Sequence, residues 1–211
     1  MKTAAVIPVK TFKSAKTRLE LSEAKKTKLC KIMLEEVLQT ASVCPKIDST
    51  IVVSKDSEVI ELTKKFGDIT IIKDYEEGVN QAIALADKYL IENNFDASIV
   101  LPQDIPCIKV QDIDFLLRFQ SPPNFAIIVP SRRFDGTNAL VRMPIDLMET
   151  HYDEDSYRIH LRTAQKKTRN ASLVFNKRIM MDIDNKDDLD FLLSSNEKQE
   201  ISKKILGIIR K

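Results

Sequence analysis

A chain of 211 residues is long enough for one well-packed core and short for two, and its 43% apolar content argues for a folded core rather than disorder. The formal charge of +2 gives no bulk electrostatic case for nucleic acid. Cys30, Cys44 and Cys107 are odd in number and lack metal-ligand spacing, so they read as free thiols in a reducing compartment. No apolar run approaches the roughly 20 residues of a membrane helix, and the first is too short for a secretory signal, so a cytoplasmic protein is expected.

Residues 4–9 form a short apolar run, as in a strand buried on both faces. Leu29, Ile32, Met33, Leu34, Val37 and Leu38 then keep helical spacing, with Ser22 placed to cap the helix. Residues 51–53 predict the next strand, and Asp56 is placed to cap a helix through Val59, Ile60 and Leu62. Strands follow at 69–72, 97–101, 126–129 and 139–142, with helices at 79–90 and 111–119 between them. The rhythm then changes. Residues 156–167 and 187–193 read as helices, 173–175 and 179–181 as strands. An amphipathic helix is expected at about 197–210, because Ile201, Ile205, Leu206, Ile208 and Ile209 largely share one face. No repeat or linker divides the chain, so residues 1–211 are expected to form a single α/β domain. Its mainly parallel sheet would carry ligands at the carboxyl edge of the strands.

Two acidic sets follow apolar runs: Asp104 in Leu101-Pro102-Gln103-Asp104-Ile105-Pro106, and Asp182 and Asp184 far downstream. If they converge, hard cations such as Mg²⁺ favour such all-oxygen sites, usually with substrate phosphates completing the shell. Asp187 and Asp188 also fit an acidic first turn of a helix. Lys10, Lys13, Lys16 and Arg18 lie between the first strand and the first helix, where an α/β fold places phosphates. The segment has no glycine, so it is neither a P-loop nor a dinucleotide fingerprint, and alone it also reads as a solvated basic loop. Gly78 leads into a helix whose amino end offers amide donors, and Asn80 can read a base edge or ribose. The Pro130–Leu140 segment gathers Arg132, Arg133, hydroxyls and an amide around Gly136, which suits a small anion or a polar hairpin. His160 and Ser156 share a helical face, in contact with substrate or as a hydrogen-bonded structural histidine.

In order along the chain, these segments resemble one family, the 2-phospho-L-lactate guanylyltransferases of coenzyme F-420 biosynthesis. Ile7-Pro8-Val9-Lys10 opens the resemblance, and Lys16-Thr17-Arg18-Leu19 is similar to the family's Ala-Lys-Ser-Arg-Leu. Gly78-Val79-Asn80 is similar to its Gly-Leu-Asn, Asp104-Ile105-Pro106 to its Asp-Leu-Pro, and Gly136-Thr137-Asn138-Ala139-Leu140 matches its Gly-Thr-Asn-Ala-Leu. Ser156-Tyr157-Arg158-Ile159-His160 is similar to its Ser-Phe-x-x-His, and the match runs on to Asp182-Ile183-Asp184 and Asp187-Asp188-Leu189.

The resemblance implies a three-layer α/β/α sandwich of the nucleotide-diphospho-sugar transferase kind with a mixed, mostly parallel sheet. It implies that GTP and a phosphorylated three-carbon acid, 2-phospho-L-lactate or phosphoenolpyruvate, combine with release of pyrophosphate. 3-Phosphoglycerate is a further possible acid. Asp104, Asp182 and Asp184 are then expected to hold Mg²⁺, and Lys16, Arg18 and Lys10 to stabilise the leaving group. Pro8, Gly78 and Asn80 would help hold the nucleotide, and Thr137, Asn138 and Ser156 the acid. Family precedent favours a homodimer, with neither nucleic acid nor membrane as partner. Two departures fall at the acid pocket: Asp153-Glu154-Asp155 stands where the family usually has glycine, and Phe134-Asp135 where a second glycine is common. A different Mg²⁺-dependent nucleotidyltransferase, loading a sugar phosphate or cofactor with CTP or GTP, would use the same carboxylates. Most such enzymes carry a glycine-rich first loop, absent here. A non-catalytic nucleotide-binding module rarely needs both aspartate sets.

Overall fold

The computed structural model describes residues 1–14, 16–75, 77–153 and 155–210. Among them, β1 (Thr3–Pro8), β2 (Ser49–Val53), β3 (Ile69–Ile72), β4 (Ala97–Val100), β5 (Phe125–Pro130), β6 (Thr137–Met143) and β7 (Ala171–Leu173) form one sheet, ordered β3-β2-β1-β4-β6-β5-β7. Neighbours run parallel except around β6, which is antiparallel to both β4 and β5. The sheet is mixed and mostly parallel. Parallel strands need crossovers, supplied here by α1 (Glu23–Ser42), α2 (Ser57–Thr63), α3 (Val79–Glu92), α4 (Val110–Leu117) and α5 (Ser156–Lys167). α6 (Lys186–Ser194) and α7 (Gln199–Ile209) complete the chain.

Strand side chains alternate between faces, and this builds two cores. Ala5, Ile7, Val52 and Ile99 pack with residues of α1, α2, α4, α6 and α7, whereas Ala4, Val6, Ile51 and Val100 pack with α3 and α5. Both faces are covered, which is why the strands read as continuous apolar runs. Ile201 and Ile205 of α7 lie fully buried in the first core, and α7 packs along α1. Lys204 and Lys198 flank that contact by pairing with Glu36 at 2.7 and 2.8 Å.

Two local expectations change. Residues 179–181, expected as a strand, form a turn in which Asn176 Oδ1 accepts from the amides of Arg178 and Ile179, each at 3.1 Å. Ile179 and Met181 are apolar because they enter the core, not because they join the sheet. The 173–175 strand ends early: Val174 still donates to Ile128 O at 2.9 Å, but Phe175 points out, 59% exposed. Ser22 occupies the cap position of α1 without a side-chain bond. Asp56 does cap α2, accepting from Glu58 N, and its other oxygen accepts from Phe12 N, both at 2.9 Å. One carboxylate thereby tethers the loop after β1.

Candidate active site

At the carboxyl edge of the parallel strands lies a cleft of about 980 Å³. The end of β1 and its loop contribute Pro8, Lys10, Lys16 and Arg18; the turn after β4 contributes Asp104. Thr137 and Asn138 come from the start of β6, Ser156 from the first turn of α5, and Asp182 and Asp184 from the stretch before α6. The two acidic sets are joined through the backbone, Ile183 N donating to Asp104 O at 3.1 Å.

Lys16 is the centre of this cluster. Its Nζ donates to Asp104 Oδ2 at 2.5 Å and Asp184 Oδ1 at 2.6 Å, with the lysine side chain only 5% exposed. Burial opposes its charge, yet the two carboxylates hold the ammonium above the usual lysine range. Burial likewise opposes the Asp184 charge, while Lys16, Arg18 and Arg133 hold its carboxyl below the usual range. Among the described residues no three acidic, His or Cys side chains form a ready metal shell, because this ammonium stands between the aspartates. Asp104 Oδ1 is buried with no hydrogen-bond partner among the described residues.

Asp182 carries the strain of this crowding. Burial, then the charges of Asp104 and Asp184, push its carboxyl up to about 6, against a bond from Asn138 Nδ2 at 2.9 Å. Between the unfolded value of about 4 and this folded value, the native state binds more protons than the unfolded one. Stability is therefore expected to rise as pH falls from 7 toward 4, by at most ~3 kcal/mol from this group. Asp182→Asn keeps an oxygen for Asn138 and should flatten that rise. Denaturant melts in chelator across this pH range check it, and identical slopes for the two proteins would discount the shift.

Strand alternation at β6 sends neighbouring residues to different tasks. Asn138 Nδ2 donates to Ile179 O at 3.0 Å as well as to Asp182, so it holds the acidic stretch in place. Thr137 turns the other way, to Ser156 and His160. The preceding turn is organised by Ser131, whose hydroxyl accepts from Gly136 N at 3.0 Å and donates to Asp135 Oδ1 at 2.6 Å. Arg132 and Arg133, read as a possible anion clamp, are committed to the protein's own acids. Arg132 pairs with Asp188 at 2.7 Å, and Arg133 pairs with the same carboxylate at 3.2 Å while donating to Asn185 Oδ1 at 2.8 Å. Asp188 is a capping-box residue of α6 whose Oδ2 accepts from Asp184 N at 3.2 Å, which fixes the Asp184 backbone.

Beside the cleft lies a second cavity of about 260 Å³, lined by Pro8, Val9, Lys10, Asp74, Gly78, Val79 and Ala82. Gly78 caps α3 at φ 114°, a conformation that side chains rarely adopt. Asn80 lines neither cavity; its Oδ1 accepts from Tyr152 N at 2.8 Å, tying α3 to the segment before α5.

Both departures from the family pattern fall on left-handed backbone. Asp155 and Phe134 each have φ 58°, a region glycine enters without strain and Asp tolerates better than Phe. Arg158 pairs with the Asp155 carboxylate at 3.2 Å, and the Phe134 ring lies edge-on to Tyr157 and Phe175, with centroids 6.0 and 5.8 Å away. Glu154 lies outside the described residues. The sequence reading missed Asp74 and took Ser131 only as one of the hydroxyls around the Gly136 turn. Asp74 carried only the signal of an acid just past a strand, which many surface residues share.

Comparison with known proteins agrees with this geometry. A family described as "Guanylyl transferase CofC like" matches residues 3–209. A 2-phospho-L-lactate guanylyltransferase from Methanocaldococcus vulcanius is 31% identical, the match covering 96% of this chain and 90% of that protein. A 3-phospho-D-glycerate guanylyltransferase from Colwellia psychrerythraea is 29% identical, with 96% and 98% covered. A crystal structure described provisionally as a nucleotide-diphospho-sugar transferase, from Desulfovibrio desulfuricans G20, has the same fold at TM-score 0.78 and 17% identity. It covers all of this chain and 95% of that one.

Proposed function

Because this chain belongs to the family of CofC-like guanylyl transferases, we propose that it joins GTP to 2-phospho-L-lactate or phosphoenolpyruvate with release of pyrophosphate, in coenzyme F-420 biosynthesis. The observation that carries the reading is one cleft edge holding a cationic loop, two acidic segments joined by a backbone bond, and a buried hydroxyl pair. An oxygen of the acid's phosphate forms the new bond to the α-phosphorus of GTP. The α–β bridging bond breaks, and its electron pair leaves with pyrophosphate. That attacking oxygen is already anionic near neutral pH, so positioning and charge neutralisation carry most of the work. Lys16, Arg18 and Lys10 neutralise the triphosphate, and Thr137 and Ser156 orient the acid.

The acidic cluster fits Mg²⁺: its donors are all oxygen, Asp104 Oδ1 is buried and unpartnered among the described residues, and Asp182 is pushed up by burial and then by the charges of Asp104 and Asp184. Asp104, Asp182 and Asp184 would hold the ion, which when bound supplies neutralisation of phosphate charge. The smaller cavity takes the base, with Gly78 at its wall. The reading also places the enzyme in the cytoplasm, in keeping with three free cysteines, as a homodimer. Light scattering tests the dimer.

Pyrophosphate release with GTP or CTP, Mg²⁺ and each of 2-phospho-L-lactate, phosphoenolpyruvate and 3-phosphoglycerate tests the function. GTP with one of the first two acids is expected to turn over fastest. No turnover with any pair would end the enzyme reading.

A further inference from the structure

His160 is fully buried beneath the cleft, and its two ring nitrogens have different neighbours. Nε2 lies 2.8 Å from the backbone amide of His151, a group that can only donate, so Nε2 must carry a lone pair. A neutral imidazole has one N–H, which is therefore on Nδ1. Nδ1 lies 2.9 Å from Thr137 Oγ1 and donates to it. Ser156 Oγ donates to the same oxygen at 3.0 Å. Thr137 Oγ1 thus accepts twice, and its own proton is left for the cleft that Thr137 and Ser156 line. The count is robust to the order of the hydroxyls. Two hydroxyl protons, with one N–H entering from behind, always leave one proton for the cleft.

We propose that His160 is a positioning residue: its fixed Nδ1–H tautomer makes the Thr137–Ser156 pair a one-way donor to an anionic oxygen of the acid substrate. The proposal rests on the acid-binding reading above. A carboxylate or phosphate oxygen, which only accepts, matches this pair; a ligand ammonium does not. The ring is held in place as well as in protonation state. Tyr152 stacks edge-on at 4.8 Å between centroids, and Tyr152 N is itself bonded to Asn80. Burial, then the charges of Arg142 and His151, push the His160 imidazole down to about 3, so the donor persists through the physiological range.

The test has two arms. With only two histidines in the chain, the ¹⁵N ring spectrum of the full-length protein is simple, and the signals lost in His160→Asn are those of His160. The expected result is a protonated Nδ1 and a bare Nε2, unchanged from pH 6 to 9. An Nε2–H tautomer or an imidazolium overturns the proposal. In the kinetic arm, His160→Asn keeps an N–H near the Nδ1 position, whereas His160→Phe removes it. With 2-phospho-L-lactate and phosphoenolpyruvate as probes, His160→Phe is expected to raise the acid KM at least ~10-fold. The GTP KM should stay within about 3-fold, and His160→Asn should keep the acid KM near wild type. Equal effects of both variants on the acid KM, or a parallel rise in both KM values for His160→Phe, overturn the proposal. Absence of turnover in the wild type would instead sink the acid reading, and the spectrum would still decide the tautomer.

Discussion

Asp104→Asn is expected to lower turnover on the order of 10³-fold while leaving the fold intact. The carboxylate lies where three charges meet, with one oxygen on Lys16 and the other buried without a donor among the described residues. An amide of the same shape keeps an acceptor for Lys16 but removes the charge that would meet a cation bridging the phosphates. Stability should change little. Ile183 N bonds the Asp104 backbone oxygen, which the substitution spares, and Lys16 keeps Asp184 at 2.6 Å. The Asp182 carboxyl, now facing one negative neighbour fewer, should move back toward its ordinary value. Single-turnover pyrophosphate release and a thermal melt on the same preparation separate these effects. The loss should fall on kcat more than on the GTP KM, because a charge that matters as the leaving group departs acts in the transition state. Near-wild-type rates would remove Asp104 from the catalytic set.

The sheet was largely legible because both its faces are buried. Ala4 to Ile7 alternate between two cores and are all apolar, so the run itself announces a central strand. The same logic misled at residues 179–181, where the apolar run reports burial alone. The conformation there is set by Asn176, a polar side chain that bonds forward to two amides. Within the candidate site, the acids and the basic loop were visible as separate segments. Their union was not, because Lys16 reaches Asp104 across 88 positions and Asp184 across 168. Arg132 shows the reverse problem. Its composition suited an anion, and the anion it meets is Asp188, 56 residues away. The departures at Phe134 and Asp155 were visible as residue types, but that both occupy left-handed backbone is a property of the folded chain. His160 was visible as a face-mate of Ser156; the direction of its proton needed the His151 amide, which no spacing rule identifies.

Lys16→Ala should destabilise the protein in chelator by about 3 kcal/mol, and Mg²⁺ should restore most of that loss without restoring turnover. Removing one partner from a buried ion pair typically costs about 3–5 kcal/mol, because the remaining charge stays buried and unpaired. Here the Asp184 side chain is 50% exposed and Asp104 18%, so water screens part of the penalty and the low end applies. Without the ammonium, Asp104, Asp182 and Asp184 repel one another with no cation between them. An ion that binds the folded state stabilises it in proportion to the logarithm of its excess over Kd. In the wild type, that ion must compete with an ammonium already paired to two of the aspartates. The melting temperature should therefore rise more with Mg²⁺ in Lys16→Ala than in the wild type. Equal rises, or no loss in chelator, would mean that the lysine does not serve as the internal counter-ion of this cluster. Recovery of stability without turnover would separate two tasks of one side chain: holding the acids together, and meeting the triphosphate once another cation holds them.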